Sequence, residues 1–90
     1  MPYTQKNTSD NSFIRHFSKD VEDSELIWHR DKEDRRVKIL EGIGWKIQLD
    51  NSLPQELIKG KQISIPKMVF HRLWRGIDNL VIEIEESDGI

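Results

Sequence analysis

The sequence contains no cysteine, which excludes disulfide bonds, thiolate metal ligands and a cysteine nucleophile. Any metal site in this chain must therefore use histidine and carboxylate side chains. Alanine, the best helix former, is also absent, whereas the chain has 12 Ile, 4 Val and 7 Leu residues. Because β-branched side chains favour strands, this composition predicts an all-β fold.

Long apolar segments are missing as well. The longest uninterrupted apolar runs are three residues, as in Leu26-Ile27-Trp28 and Met68-Val69-Phe70. A transmembrane helix needs about 20 apolar residues, and the core of a signal peptide also needs a longer run than this chain offers. The sequence therefore predicts a cytoplasmic protein with no membrane partner.

A strong charge imbalance is also lacking. The chain has 14 basic and 16 acidic residues, which gives a net charge of −2, and the two signs are interspersed along the sequence. Nucleic-acid binding proteins gather basic residues into a patch or stripe that contacts the phosphate backbone. We therefore expect no nucleic-acid partner.

The chain is short and contains few apolar residues. Its 90 residues suffice for one domain with one core, and its hydrophobic fraction is 36%. Small domains bury little apolar surface and often gain stability from a second subunit. The sequence therefore predicts a single domain that associates as a homodimer.

Turn-forming polar residues fill the start of the chain, so residues 1–12 are expected to form a flexible tail and residues 13–90 the domain. Two glycines between alternating segments predict a hairpin turn over 41–44. Short apolar segments separated by turn residues predict a barrel or sandwich. The predicted strands are 13–17, 24–29, 35–40, 45–49, 62–65, 68–74 and 79–85.

The segment from Gly60 to His71 resembles the second conserved motif of the cupin superfamily. Gly60, Pro66 and His71 have the spacing of that motif, and Met68 stands where the family has a second glycine. The resemblance implies a single-domain cupin-type jelly roll, which is a barrel built as a double-stranded β-helix.

The segment from His29 to Gly42 resembles the first cupin motif, with two differences. His29 and Gly42 match the motif, whereas Asp31 stands at its second histidine and Arg35 at its glutamate. The family binds one divalent metal with these positions, so the resemblance implies a metal site of His29, Asp31 and His71. The ion would be Fe, Mn, Ni or Zn.

Two histidines and one carboxylate form a ligand set that suits Fe(II) and leaves coordination positions open. His29 and Asp31 would lie on one face of an extended chain, since alternate strand residues share a face. The order His-x-Asp followed by a distant His also resembles the metal triad of the 2-oxoglutarate oxygenases, a family for which 90 residues is too short, and it shows only that Asp can replace His as a ligand. The sequence therefore predicts a metal-binding protein that, if it is an enzyme, is a metal-dependent oxygenase or isomerase.

Arg35 cannot bind a cation, but a guanidinium directed into a barrel can bind a carboxylate or phosphate. Arg35 is therefore predicted to bind a small anionic molecule. Two alternatives stay open: Arg35 pairs with Asp31 in a metal-free binding or structural module, or Glu33 or Asp34 is a metal ligand instead.

The remaining aromatic and imidazole side chains carry no motif. Large aromatic residues in a small β domain usually fill the core or a subunit interface, and His16 is expected to be structural or exposed. The tryptophans in question are Trp28, Trp45 and Trp74. The predicted apolar walls of the pocket are Val37, Ile39, Ile47 and Leu73.

Overall fold

The computed structural model describes residues 2–87, so residue 1 of the predicted tail and residues 88–90 of the predicted domain lie outside the described residues. The described chain forms eight strands and a single 3₁₀ turn at Asp23–Glu25. In the described part of the chain, no helix is long and apolar enough to span a bilayer. The strands are β1 (Tyr3–Asn7), β2 (Ser12–Phe17), β3 (Asp34–Glu41), β4 (Lys46–Leu49), β5 (Gln55–Glu56), β6 (Gln62–Ile65), β7 (His71–Trp74) and β8 (Leu80–Ser87).

The strands form two antiparallel sheets. The large sheet has the order β1-β2-β8-β3-β6 and the small sheet has the order β5-β4-β7. The chain crosses from one sheet to the other four times, between β3 and β4, between β5 and β6, between β6 and β7, and between β7 and β8. This crossing wraps the chain around a common core, and it confirms the prediction of an all-β fold.

Alternating side chains build the core between the sheets. Val37 and Ile39 of β3 are buried, whereas Arg36 and Lys38, which alternate with them, are exposed. The same alternation occurs in β8 and β6, because successive strand residues point to opposite faces. The buried core consists of Phe13, Phe17, Val21, Val37, Ile39, Trp45, Ile47, Leu57, Ile63, Ile65, Leu80, Ile82 and Ile84.

The turn over 41–44 does not form the predicted hairpin, since β3 and β4 lie in different sheets. Gly44 has a φ of +80°, which suits glycine. The chain then turns inward, so Trp45 is fully buried and its indole Nε1 donates to the backbone oxygen of Asp78 at 2.6 Å. A single sequence shows the turn but not the strand with which each arm pairs.

The fold starts earlier than predicted, because Tyr3–Asn7 forms β1 within the segment assigned to the tail. β1 pairs antiparallel with β2, and the Tyr3 ring lies 5.3 Å from the Phe17 ring. The side chains of an edge strand can stay polar while its backbone pairs with a neighbour. Hydrophobic patterning therefore gave no signal for β1.

The predicted strand over 24–29 is also wrong. Asp23–Glu25 forms the 3₁₀ turn, and only His29 makes a bridge, to His71. Leu26 is partly buried against the core, whereas Ile27 is 63% exposed. Of this segment, only Leu26 packs against the core, and the segment forms no strand.

Met68, at the position of the second motif glycine, has a φ of +65°. This conformation costs a non-glycine residue about 1–2 kcal/mol, and the exposed Met68 side chain buries little surface to offset it. We expect Met68→Gly to raise the free energy of unfolding by about 0.5–1 kcal/mol, after the entropy gained by the unfolded chain is subtracted. Chemical denaturation measures this change in the free energy of unfolding.

Met68→Ala is the matched control, because it removes the same side chain and keeps the Cβ atom responsible for the strain. The glycine variant should be more stable than the alanine variant. Equal stability of the two variants would contradict the argument from backbone strain.

Candidate metal centre

His29 and His71 are brought together by backbone pairing. The His29 N–H donates to the His71 oxygen at 3.0 Å, and the His71 N–H donates to the His29 oxygen at 2.8 Å. The two rings meet edge to face, with centroids 4.3 Å apart. His71 is buried and His29 is exposed, so the pair extends from the core to the surface.

Backbone carbonyls fix the orientation of both imidazoles. Nδ1 of His29 lies 3.0 Å from the Ile27 oxygen, and Nδ1 of His71 lies 2.9 Å from the Val69 oxygen. A carbonyl only accepts, so each Nδ1 is the donor and each neutral ring keeps its lone pair on Nε2. Carbonyl partners of this kind commonly orient metal-binding histidines.

Burial lowers the pKa of His71 below its usual value, and the hydrogen bond to the Val69 carbonyl opposes this shift only in part. The nearby His29 lowers the pKa further, whereas Asp31 raises it. The neutral imidazole therefore predominates at neutral pH, and its Nε2 is available as a ligand atom.

Asp31 completes the cluster. Its Oδ2 lies 3.3 Å from Nε2 of His71 and 3.1 Å from Nη1 of Arg35, yet this buried oxygen accepts no hydrogen bond. The ligand atoms of His29, Asp31 and His71 all lie within 4.8 Å of one another. The sequence predicted these three residues, and the structure brings them together.

A cation fits this arrangement. Asp31 Oδ2 and His71 Nε2 face each other at 3.3 Å, and both are lone-pair acceptors when His71 is neutral. Two acceptors at this distance repel unless a proton or a cation lies between them, and the ion pair of the same oxygen with Arg35 at 3.1 Å leaves the two facing lone pairs in place. The donor set of two imidazoles and one carboxylate suits divalent transition metals.

Arg35 contacts two carboxylates. Its Nη1 lies 3.1 Å from Asp31, while Nη2 and Nε lie 2.7 and 2.9 Å from the same oxygen of Glu86. The ion pair between Arg35 and Asp31 is the contact expected in the alternative prediction of a metal-free module. Glu86 was not predicted, because its position opposite Arg35 depends on the register of β3 and β8. Binding of an anion by Arg35 stays a prediction.

The alternative ligands Glu33 and Asp34 do not belong to the cluster of potential ligands found within residues 2–87. Asp34 Oδ1 accepts the backbone N–H of Lys67 at 2.7 Å. Nearby, the Met68 N–H donates to the backbone carbonyl oxygen of Asp31 at 2.7 Å. These two bonds tie the loop before β7 to the segment that carries Asp31.

A cavity of about 290 Å³ adjoins the cluster. Three predicted wall residues, Val37, Ile47 and Leu73, line this cavity, whereas Ile39 is fully buried and does not. Arg15, which was not predicted as a site residue, also lines the cavity. The other aliphatic lining residues are Leu26, Ile27, Leu57, Ile63, Ile65, Ile82 and Ile84.

The tryptophans divide between the core and the surface. Trp45 is buried as predicted, whereas Trp28 and Trp74 are exposed. The Arg72 guanidinium carbon lies 4.8 Å from the Trp28 ring and 4.7 Å from the Trp74 ring. His16 is exposed, in agreement with one of the two outcomes expected for it.

No protein-family model matches this sequence, and no curated protein matches it either. Solved structures do match it. A cupin-2 domain protein from Shewanella frigidimarina is 16% identical with a TM-score of 0.68, and the match covers 97% of this chain and 83% of that one.

Two further solved structures are similar to this chain. An RmlC-like cupin with a double-stranded β-helix fold, from Methanocaldococcus jannaschii, is 13% identical with a TM-score of 0.67, and the match covers 97% of this chain and 82% of that one. Fe(II) HppE is 11% identical with a TM-score of 0.69, covering 84% of this chain and 41% of that one. The protein therefore has a double-stranded β-helix fold like that of these cupin structures.

Proposed function

We propose that this protein is a small cupin that binds one divalent metal ion through His29, Asp31 and His71. The observation that carries the proposal is the buried Asp31 Oδ2, which accepts no hydrogen bond and faces the Nε2 lone pair of His71 at 3.3 Å. A cation held by both atoms would satisfy them. Fe(II) HppE, whose fold is similar, is an example of such a fold with iron.

The proposed site has the composition of a catalytic metal centre. Three protein ligands leave coordination positions free, whereas structural sites are filled by the protein. The cluster adjoins the cavity, which His29, Asp31 and His71 all line. We propose that a small organic molecule occupies this cavity and reaches the metal. A bound divalent ion supplies Lewis-acid chemistry, and redox chemistry if it is iron.

The residues around the ligands hold the site in place. The Ile27 and Val69 carbonyls fix both imidazoles, and Arg35, itself held by Glu86, positions Asp31. The aliphatic walls of the cavity exclude water from the reacting centre, which strengthens electrostatic interactions there. These roles fit a metal-dependent isomerase or oxygenase, the two reaction classes that we propose.

Metal analysis of untagged protein tests this proposal. We expect about one equivalent of Fe, Mn, Ni or Zn per chain, in the purified protein or after reconstitution with each ion and gel filtration. The untagged form is needed because a polyhistidine tag binds the same ions. Substoichiometric binding of all four ions after reconstitution would overturn the proposal.

One observation favours a second function, a metal-free binding or structural module. Asp31 and Arg35 lie 3.1 Å apart, so the carboxylate already has a cationic neighbour. In such a module the cavity would bind a small ligand without catalysis. Failure of metal reconstitution, together with ligand binding to the metal-free protein, would support this function.

We also propose that the protein is a cytoplasmic homodimer. The low hydrophobic fraction of 36% supports association, because a second subunit would cover apolar surface that this small domain leaves exposed. Exposed apolar side chains such as Leu53 and Ile77 are available for such a contact. A monomer mass from light scattering at micromolar concentration would contradict the dimer.

A further inference from the structure

Arg15 is a charged residue at an inward-facing position of the large sheet. It lies in β2 between Phe13 and Phe17, and all three side chains share a face because alternate strand residues do. Both phenylalanines are buried in the core, and Arg15 itself lines the cavity. A charge placed among such residues is costly unless a partner compensates it.

The protein holds the Arg15 guanidinium with neutral groups. Nε donates to Oε1 of Gln5 on the neighbouring β1 at 2.8 Å. The guanidinium carbon lies 4.0 Å from the Tyr3 ring and 4.9 Å from the Phe13 ring. Within residues 2–87, no carboxylate forms an ion pair with Arg15, whereas Arg35 in the same cavity has two. The two Nη groups of Arg15 are therefore available to a ligand.

Burial lowers the pKa of Arg15 below its usual value. The positive charge of Arg35 adds to this shift, while Asp31 and Glu86 oppose it, so these groups act on one another electrostatically. The pKa of arginine is high enough that its guanidinium stays protonated at neutral pH. The cavity therefore holds a permanent cation that forms no ion pair with a carboxylate of residues 2–87.

The formal charges of the loaded cavity favour an anionic ligand. The Asp31 and Glu86 carboxylates offset Arg35 and one of the two charges of a divalent ion. Two positive charges are left, one on the ion and one on Arg15, and no carboxylate of residues 2–87 forms an ion pair with Arg15.

We propose that Arg15 binds the carboxylate of a small organic acid with an aliphatic body. With Nε engaged by Gln5, the two Nη groups offer a planar pair of donors that matches the two oxygens of a carboxylate. A phosphate would need more donors than this cavity of aliphatic walls provides. The remainder of the acid would lie along those walls toward the metal, and this last contact rests on the proposed function.

The size of the cavity limits the acid. Its volume of about 290 Å³ lies at the lower end of the range for small-molecule sites, which is about 300–1,000 Å³. A branched C6 acid is a suitable probe, so we choose 4-methylpentanoate. Its amide, 4-methylpentanamide, has the same shape without the charge.

The test is a calorimetric titration of untagged, Zn²⁺-reconstituted protein with both probes, in wild type, Arg15→Gln and Arg15→Lys. We expect wild type to bind the acid at least about tenfold more tightly than the amide, as a charge-assisted bidentate pair should. Arg15→Gln should abolish that preference, and Arg15→Lys should retain part of it. Arg36→Gln is the matched control, since Arg36 is exposed and pairs with Glu85 at 3.7 Å.

Equal affinity of wild type for acid and amide would overturn the proposal, as would an unchanged acid affinity in Arg15→Gln. The Zn²⁺ content of each variant is measured separately, and the titrations are repeated on metal-free protein. If no variant binds Zn²⁺ but Arg15→Gln still loses the acid preference, the metal proposal fails while the role of Arg15 stands. If Zn²⁺ binds but wild type shows no preference for the acid, the role of Arg15 fails while the metal proposal stands.

Discussion

Replacing His71 with alanine is expected to lower the affinity for Zn²⁺ by about a hundredfold or more. Loss of a group that only orients a ligand typically costs 10–100-fold in metal affinity, and loss of the ligand itself should cost at least as much. His29→Ala should weaken binding similarly, because two protein ligands are then left. Calorimetric titration of untagged protein with Zn²⁺ measures both effects.

His16→Ala is the matched control for these variants. His16 is exposed and is not one of the clustered ligands, so its removal should leave Zn²⁺ affinity unchanged. His71→Asn serves as a second variant, because it keeps a polar group at this buried position. Thermal unfolding of each metal-free variant shows whether the fold persists.

The imidazole ¹⁵N shifts give a readout that a structural role would not change. In the metal-free protein we expect Nδ1 of His29 and His71 to be protonated, since each donates to a backbone carbonyl. Zn²⁺ should then shift the Nε2 signals of both residues and leave those of His16 unchanged. Zn²⁺ binding that survives both alanine substitutions would contradict the proposed ligand set.

Trp45→Ala is expected to have the largest effect on stability. Trp45 is fully buried, its ring centroid lies 5.9 Å from that of Phe17, and its Nε1 donates to the Asp78 oxygen at 2.6 Å. Truncation of a buried tryptophan to alanine typically costs about 3–5 kcal/mol. Since small domains are stable by only about 5–15 kcal/mol, this variant should lose a large part of its free energy of unfolding.

Trp74→Ala provides the control for Trp45→Ala, because Trp74 is exposed and its Nε1 donates to the side chain of Gln48 at 3.2 Å. Its loss should cost less than about 1 kcal/mol. Chemical denaturation, followed by circular dichroism because both variants lose a fluorophore, gives the two values. A similar cost at both positions would mean that Trp45 is not the centre of the core.

Much of the site was predictable because its residues lie in two short segments with recognisable spacing. His29 and Asp31 are two residues apart, and His71 follows Pro66 at the spacing of the second motif. The backbone at Met68 also behaves like the glycine that it replaces, with a φ of +65°. The resemblance to the two cupin motifs is therefore recognisable although Asp31, Arg35 and Met68 differ from them.

The partners of these residues were not predictable. Glu86 meets Arg35 only because β3 and β8 pair in one particular register, and Arg15 reaches the cavity because β2 faces the core with residues 13, 15 and 17. From the sequence alone, Glu86 and Arg15 cannot be distinguished from ordinary surface charges. Strand pairing decides which charges enter the barrel.

The sequence by itself determined the all-β class, the alternating faces of the long strands and the identity of the clustered histidines and aspartate. These features depend on side-chain chemistry and on the two-residue period of a strand, which are local properties. The tertiary structure alone decided which strands pair, that the turn over 41–44 crosses between sheets, and that β1 exists. Those features depend on hydrogen bonds and packing between residues far apart in the chain, and local side-chain patterns do not specify which distant strands pair.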